Sequence, residues 1–174
     1  SDLGKTTLAE IISRETKRRF VELSATASGV KDVREVLDAA RRRLEDDGQG
    51  TCLFIDEIHR YSKSQQDVLL PDVEHGVVAL IGATTQNPFF ALTTALVSRS
   101  RIFELEPLSR DDVAAILARA VADREHGLGN ERVELTPEAV AVLVESSDGD
   151  ARRALSALEV GVVRSEEHTS ELQS

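Results

Sequence analysis

Two short runs in this chain carry residue types suited to phosphate chemistry. The first is Gly4-Lys5-Thr6-Thr7, the back half of the pattern G-x-x-x-x-G-K-[ST]. In loops of that pattern backbone N–H groups and a helix N-terminus cradle the phosphates. The lysine reaches the β- and γ-phosphates, and the hydroxyl touches Mg²⁺. The second run is Leu53-Phe54-Ile55-Asp56-Glu57, an apolar strand that ends in two carboxylates. Asp56 is suited to hold the metal through its water shell, and Glu57 to polarise an attacking water. Together the runs predict binding of ATP with magnesium, and hydrolysis. Gly4, Lys5, Thr6, Thr7 and Asp56 are the expected nucleotide contacts, Thr6 and Asp56 the expected Mg²⁺ contacts, and Glu57 the expected catalytic base.

The front half of the loop is not in the chain. Counting back from Lys5, the first glycine of the pattern falls before Ser1, and Ser1, Asp2 and Leu3 occupy the remaining loop positions. A carboxylate at Asp2 repels a polyphosphate. The run from Arg164 to Ser174 reads like an in-frame translation of a common sequencing adapter, and Ser1-Asp2-Leu3 like the end of its companion. Native protein is therefore expected from Gly4 to Val163, with residues 1–3 and 164–174 as scars and the second scar disordered. With its loop cut short, this chain by itself is expected to be inactive.

The elements that must position these residues follow from apolar spacing. Residues 6–17 show helical spacing at Leu8, Ile11 and Ile12, as expected of the helix after a phosphate loop. Residues 20–23 read as a short strand, and residues 30–44 as a helix closed by Asp47-Gly48. Residues 51–56 are continuously apolar before their acids, as in a buried parallel strand. A helix kinked at Pro71 is expected over 62–74, a buried strand over 77–83, a short helix over 88–97 and a last strand over 102–105. Strands alternating with helices predict a three-layer α/β domain around a parallel sheet, residues 4–106. From residue 107 to 163 only helices are expected. Ser109-Arg110-Asp111-Asp112 is a capping box before Val113, Ile116, Leu117 and Val121. Thr136-Pro137 opens a second helix with Val140, Leu143 and Val144, and Asp148-Gly149-Asp150 a third with Ala154, Leu155 and Leu158.

Composition sets limits on this reading. With 174 residues, 41% hydrophobic and 30% charged, the chain can bury a core in one domain plus a small helical appendage. The formal net charge is -10, or -7 without Asp2, Arg164, Glu166, Glu167 and Glu171. That balance argues against a large nucleic-acid surface. The single cysteine, Cys52, lies in the apolar strand and reads as a buried small hydrophobe, which fits a reducing cytosol. The four histidines are scattered, with no metal-ligand spacing.

Further residues have a functional and a structural reading side by side. Thr84-Thr85 follows a buried strand, where one hydroxyl is placed to sense the γ-phosphate or to cap the next turn. In Ser98-Arg99-Ser100-Arg101 an arginine can reach a neighbouring subunit's nucleotide or remain a solvated surface pair. Arg152 can reach over the nucleotide from the helical part, with Arg153 pointing elsewhere. Lys17-Arg18-Arg19 and Arg41-Arg42-Arg43 read as helix-end cations facing water rather than as DNA contacts. His59 reads as an ordinary turn histidine, with a signal relay as the alternative.

Gly4-Lys5-Thr6-Thr7, the stretch from Leu53 to Arg60, Ile81-Gly82-Ala83-Thr84-Thr85-Gln86-Asn87-Pro88, Ser98-Arg99-Ser100 and the stretch from Gly149 to Leu155 resemble AAA+ ATPases of the clamp-loader clade. More narrowly, with Gln65-Gln66-Asp67-Val68-Leu69-Leu70-Pro71, the chain resembles the replication-associated recombination protein A family, bacterial relatives of the Werner-helicase-interacting protein. The resemblance implies a P-loop NTPase core with a helical lid. It makes Lys5 and Thr6 Walker A, Asp56 and Glu57 Walker B, Thr85 sensor 1, Arg99 the finger offered to a neighbour and Arg152 sensor 2. It also implies an oligomeric, DNA-stimulated ATPase of the cytoplasm and nucleoid, acting at forks, gaps or single-strand/double-strand junctions, with replication or repair proteins as possible partners. Two rival readings are a clamp loader or Holliday-junction branch-migration motor of the same fold, and an interaction module without ATPase activity.

Overall fold

The computed structural model describes residues 3–131 and 133–172. Ser1 and Asp2, including the Asp2 carboxylate weighed above, lie outside the described residues. Two compact units divide the chain, one through Glu104 and one from Leu105 onward.

In the first unit, helix α1 (Leu3–Glu15) precedes strand β1 (Arg19–Ser24), then α2 (Val30–Asp47) and β2 (Thr51–Asp56). A single 3-10 turn, Ile58–Arg60, leads to α3 (Lys63–Asp67), α4 (Leu70–Glu74), β3 (Val78–Gly82), α5 (Pro88–Ala91) and α6 (Thr94–Ser98). The strands are parallel in the order β1-β2-β3, with Phe20 opposite Cys52 and Phe54 opposite Ile81. Side chains of a strand alternate between faces, and here both faces are covered. Leu53 and Ile55 pack with Val33, Leu37 and Ala40 of α2. Phe54 turns the other way, toward Ala9 of α1, and stacks with Phe20 at a ring separation of 6.3 Å. The result is the three-layer α/β core. β2, the central strand, is buried from Thr51 to Ile55, which is why its sequence is an unbroken apolar run. Cys52 is fully buried there, and burial pushes its thiol up from the ordinary cysteine value.

Three expectations change in detail. The helix read over 62–74 is two helices: Ser62 and Gln65 form a capping box at α3, and Pro71 sits in the first turn of α4, where no N–H is needed. The helix read over 88–97 is likewise divided, because Asn87 caps α5 and Thr93 caps α6. Residues 102–105 form no strand in the described structure. Ile102, Phe103 and Leu105 are exposed, and an apolar run without a ladder partner has no reason to extend.

The second unit holds α7 (Arg110–Ala122), α8 (Pro137–Ser147) and α9 (Ala151–Leu172). Val113, Leu117, Ala154 and Leu158 are its buried centre, with Val121, Leu143, Val144 and Leu155 around them. Ser109 and Asp112 exchange the two hydrogen bonds of a capping box, and Thr136 Oγ1 accepts the Ala139 amide at 3.2 Å. Gly149 is required where it stands. Its φ is +72°, and a Cβ there would lie 2.9 Å from the Leu108 carbonyl oxygen. The backbone of α9 continues to Leu172, so the segment read as a disordered scar is helical as far as it is described. Once a helix is nucleated on a packed segment, each added residue gains a hydrogen bond for little further order. Among the described residues no helix is long and apolar enough to cross a membrane.

Candidate active site

The chemistry-bearing residues of the first unit gather at the C-terminal edge of its sheet. That is where ligands bind in parallel α/β folds, because loops and helix N-termini converge there. Gly4, Lys5, Thr6 and Thr7 form the first turns of α1, with Gly4 and Thr7 exposed and Lys5 and Thr6 half-buried. Lys5 Nζ donates to the Thr84 carbonyl oxygen at 3.1 Å, just beyond β3. Asp56 ends β2, and its Oδ1 accepts the Glu57 amide at 3.0 Å, which fixes the carboxylate's direction.

Glu57 stands in the left-handed region, with φ 54° and ψ 39°. Such a conformation costs a non-glycine residue roughly 1–3 kcal/mol and persists only where its surroundings over-determine it. They do so here. The next amide, Ile58 N–H, donates to Ala83 O at 3.0 Å, and Arg60 N–H donates to Glu57 O at 2.8 Å. Gly82 lets this turn close: a Cβ there would come within 3.0 Å of Ile58 Cδ1. His59 completes the arrangement. Its side chain is only 6% exposed, with Nε2 3.2 Å from Glu57 Oε2 and Nδ1 2.8 Å from Thr84 Oγ1.

The structure thus brings Lys5, Glu57 and the β3 end together through Thr84. Thr85, the residue assigned to sensor 1, is exposed. Arg99 follows α6 and is paired with Glu74 on α4, Nε to Oε1 at 2.8 Å, while its Nη1 donates to Ala95 O. Arg152 belongs to the second unit, exposed at the start of α9, where its amide donates to Asp150 Oδ1. Of the Arg41-Arg42-Arg43 cluster, Arg41 clasps buried Asp72 with two hydrogen bonds of 2.7 and 2.6 Å, and Arg43 donates to Thr51 Oγ1. Two of those three cations are structural. A concavity of about 320 Å³ beside Arg41, Asp72 and His75 lies at the opposite, N-terminal end of the strands.

Sequence reasoning names Gln66 only within the run that carries the family resemblance and gives it no role. It is 1% exposed; its Nε2 donates to Tyr61 O and Ala91 O, and its Oε1 accepts the Thr93 amide. One amide therefore fastens the segment after the Glu57 turn to the loop ahead of α6. Nothing in local spacing marks this residue, since its partners are distant in sequence.

The residues present suit magnesium and a polyphosphate. The donor set is an ammonium, a hydroxyl and a carboxylate, and among the described residues no three His, Cys, Asp or Glu side chains gather to cage a metal. Magnesium bound there would take few protein ligands and complete its shell with phosphate and water, as it commonly does.

Comparison with known proteins identifies the family. The family described as "ATPase family associated with various cellular activities (AAA)" matches residues 1–108. An AAA domain-containing protein of Mycobacterium tuberculosis is 54% identical over 157 residues, 90% of this chain and 34% of that protein. Replication-associated recombination protein A of Coxiella burnetii is 47% identical over 157 residues, 90% of this chain and 35% of that protein. The ATPase WRNIP1 of Dictyostelium discoideum is 44% identical over 164 residues, 94% of this chain and 18% of that protein. This chain spans about a third of the length of the two bacterial relatives. Its parallel three-layer core, its strand-edge lysine and carboxylates, and these matches place it in the AAA family of ATPases, in the group of the replication-associated recombination protein A proteins.

Proposed function

We propose that this chain is the ATP-hydrolysing module of a DNA-processing factor that acts in replication-fork maintenance and recombination. The observation that carries the reading is the meeting of Lys5 and the Glu57 turn at Thr84. Bound ATP supplies a phosphoanhydride whose cleavage is downhill, so the residues have to position and neutralise rather than form covalent bonds. Lys5 neutralises the β- and γ-phosphates, with Gly4 and Thr7 beside it at the helix start. Thr6 and Asp56 would hold Mg²⁺, which would neutralise charge on the phosphates. Glu57 accepts the proton of the attacking water, and a hydroxyl at the β3 end, Thr85 in the family's pattern, faces the γ-phosphate.

Residues 4–106 serve as the ATPase core and residues 107–163 as a helical lid subdomain that carries Arg152. In a homo-oligomer, Arg99 exchanges Glu74 for a neighbour's γ-phosphate and stabilises charge in the transition state. Hydrolysis then changes subunit angles and remodels the DNA held by the assembly, at forks, gaps or single-strand/double-strand junctions in the bacterial cytoplasm. The relatives' names support replication and recombination as the setting.

The test uses Glu57→Gln in a protein that carries this chain at its relatives' length. ATP binding is expected to persist, while turnover falls by about 10²-fold or more. Near-normal turnover in that variant would remove Glu57 from the base's role.

A further inference from the structure

Thr84 makes two contacts that belong to different halves of the site. Its carbonyl oxygen accepts from Lys5 Nζ, and its hydroxyl lies 2.8 Å from His59 Nδ1. The same hydroxyl oxygen accepts the Gln86 amide at 3.0 Å. Beyond the imidazole ring, His59 Nε2 lies 3.2 Å from Glu57 Oε2. A backbone amide only donates, and an ionised carboxylate only accepts, so the two ends of this chain fix its direction.

His59 Nε2 must carry a proton, because a bare nitrogen lone pair would face a carboxylate oxygen. Thr84 Oγ1 accepts from Gln86 and keeps its own proton to give, and a bare His59 Nδ1 is the acceptor within reach. The neutral Nε2–H tautomer uses every proton in the chain. A doubly protonated ring would make Thr84 Oγ1 accept twice and leave its hydroxyl proton without its place on Nδ1. The buried ring, 6% exposed, cannot exchange these partners for water at will.

We infer that Thr84 and His59 form a positioning relay that aims the Glu57 carboxylate, and that it is Thr84, through its hydroxyl, that links the β3 end to the catalytic base. The inference rests on Glu57 acting as the base. The relay also ties the base to the phosphate-binding lysine. Lys5 bonds the carbonyl of the residue whose hydroxyl holds His59, so withdrawal of Lys5 toward phosphate alters the restraint on Thr84 and, through it, on Glu57. His59 and Thr84 are positioning residues and touch no reacting atom.

Two measurements separate this inference from the reading beneath it. The first needs no nucleotide: long-range ¹H–¹⁵N spectra of the histidine rings in this chain, with His59 assigned by its loss in His59→Gln. A single neutral Nε2–H tautomer at neutral pH is expected, kept in Thr84→Ser and redistributed in Thr84→Val. An Nδ1–H or doubly protonated ring at neutral pH, or a tautomer indifferent to Thr84→Val, overturns the relay. The second measures turnover in the protein of relatives' length. Thr84→Val and His59→Ala should lower kcat roughly 10–100-fold, the scale of a misplaced catalytic group, with the KM for ATP little changed. Thr84→Ser, and in part His59→Gln, should restore kcat, and a matched thermal midpoint excludes simple unfolding. If Glu57→Gln abolishes turnover while Thr84→Val and His59→Ala stay within about twofold, against that same expectation, the relay fails and the base remains. If Glu57→Gln leaves turnover intact, the base assignment fails, and the spectra still judge the hydrogen-bond chain on its own.

Discussion

The two units of this chain are held together by different means. In the first, a central strand is buried on both faces, and thirteen buried side chains in two clusters fix the sheet between α1 and α2. In the second, four buried side chains form the centre, and each helix start is secured by a polar cap. The strand unit therefore restrains the polar groups at its edge from several sides. The helical unit presents Arg152 and Arg153 exposed on the first turn of a capped helix, with no such restraint on their heads. A rigid edge suits groups that must aim.

The sharpest way to break the contrast is to hollow the strand unit. Ile55→Ala should cost roughly 2–5 kcal/mol in a urea melt, because a fully buried central position cannot collapse around the loss. Hydrogen exchange should rise first across β1, β2 and β3. Gln66→Leu comes next, at about 3 kcal/mol, since Tyr61 O, Ala91 O and the Thr93 amide all lose a partner inside. A cost below about 1 kcal/mol would show that water enters and satisfies them. In the helical unit the equivalent lever is a cap: Thr136→Ala should cost about 1 kcal/mol, read as faster exchange in α8 alone.

The smallest effect is one of acid. The hydroxyl and then the amide of Ser109 hold the Asp112 carboxyl below the usual carboxylate range, and the His126 and Glu125 amides do the same for Asp123. As pH falls, the unfolded chain takes up these protons before the folded one does. The caps thus stabilise fully above the unfolded carboxylate value of about 4 and lose their contribution as pH drops through the folded values. A thermal midpoint that declines below about pH 4, and less steeply in Asp112→Asn, is the expected result.

How much of this was legible in the sequence depended on whether the cause was local. β2 was readable to the residue, because burial on both faces leaves an unbroken apolar run that ends at Asp56. The caps at Ser109 and Thr136 were readable because a cap is a short-range device. The break between α3 and α4 was half legible: Pro71 announced a disturbance, while Ser62 and Gln65 decided where the first helix begins. Ile102–Leu105 misled because apolar composition suggests a strand, and only a ladder partner makes one. At the site, Lys5, Asp56 and Glu57 were named from spacing. His59 was named but read as bland, and Thr84 was named beside Thr85 without its contact to His59. Those two depend on what β3 brings beside the end of β2, a fact of register that no local pattern contains.

Gln66 also has a consequence for the ageing of the chain. Deamidation replaces one nitrogen by one oxygen, a change of almost no volume. At this position it would set a carboxylate oxygen against the carbonyls of Tyr61 and Ala91, where two donated hydrogen bonds had been. While the chain is folded, the amide is 1% exposed and screened from the water that hydrolysis consumes. Each excursion to the unfolded state lifts that screen. A chain damaged during one would carry, in a single atom, a lasting obstacle to folding again.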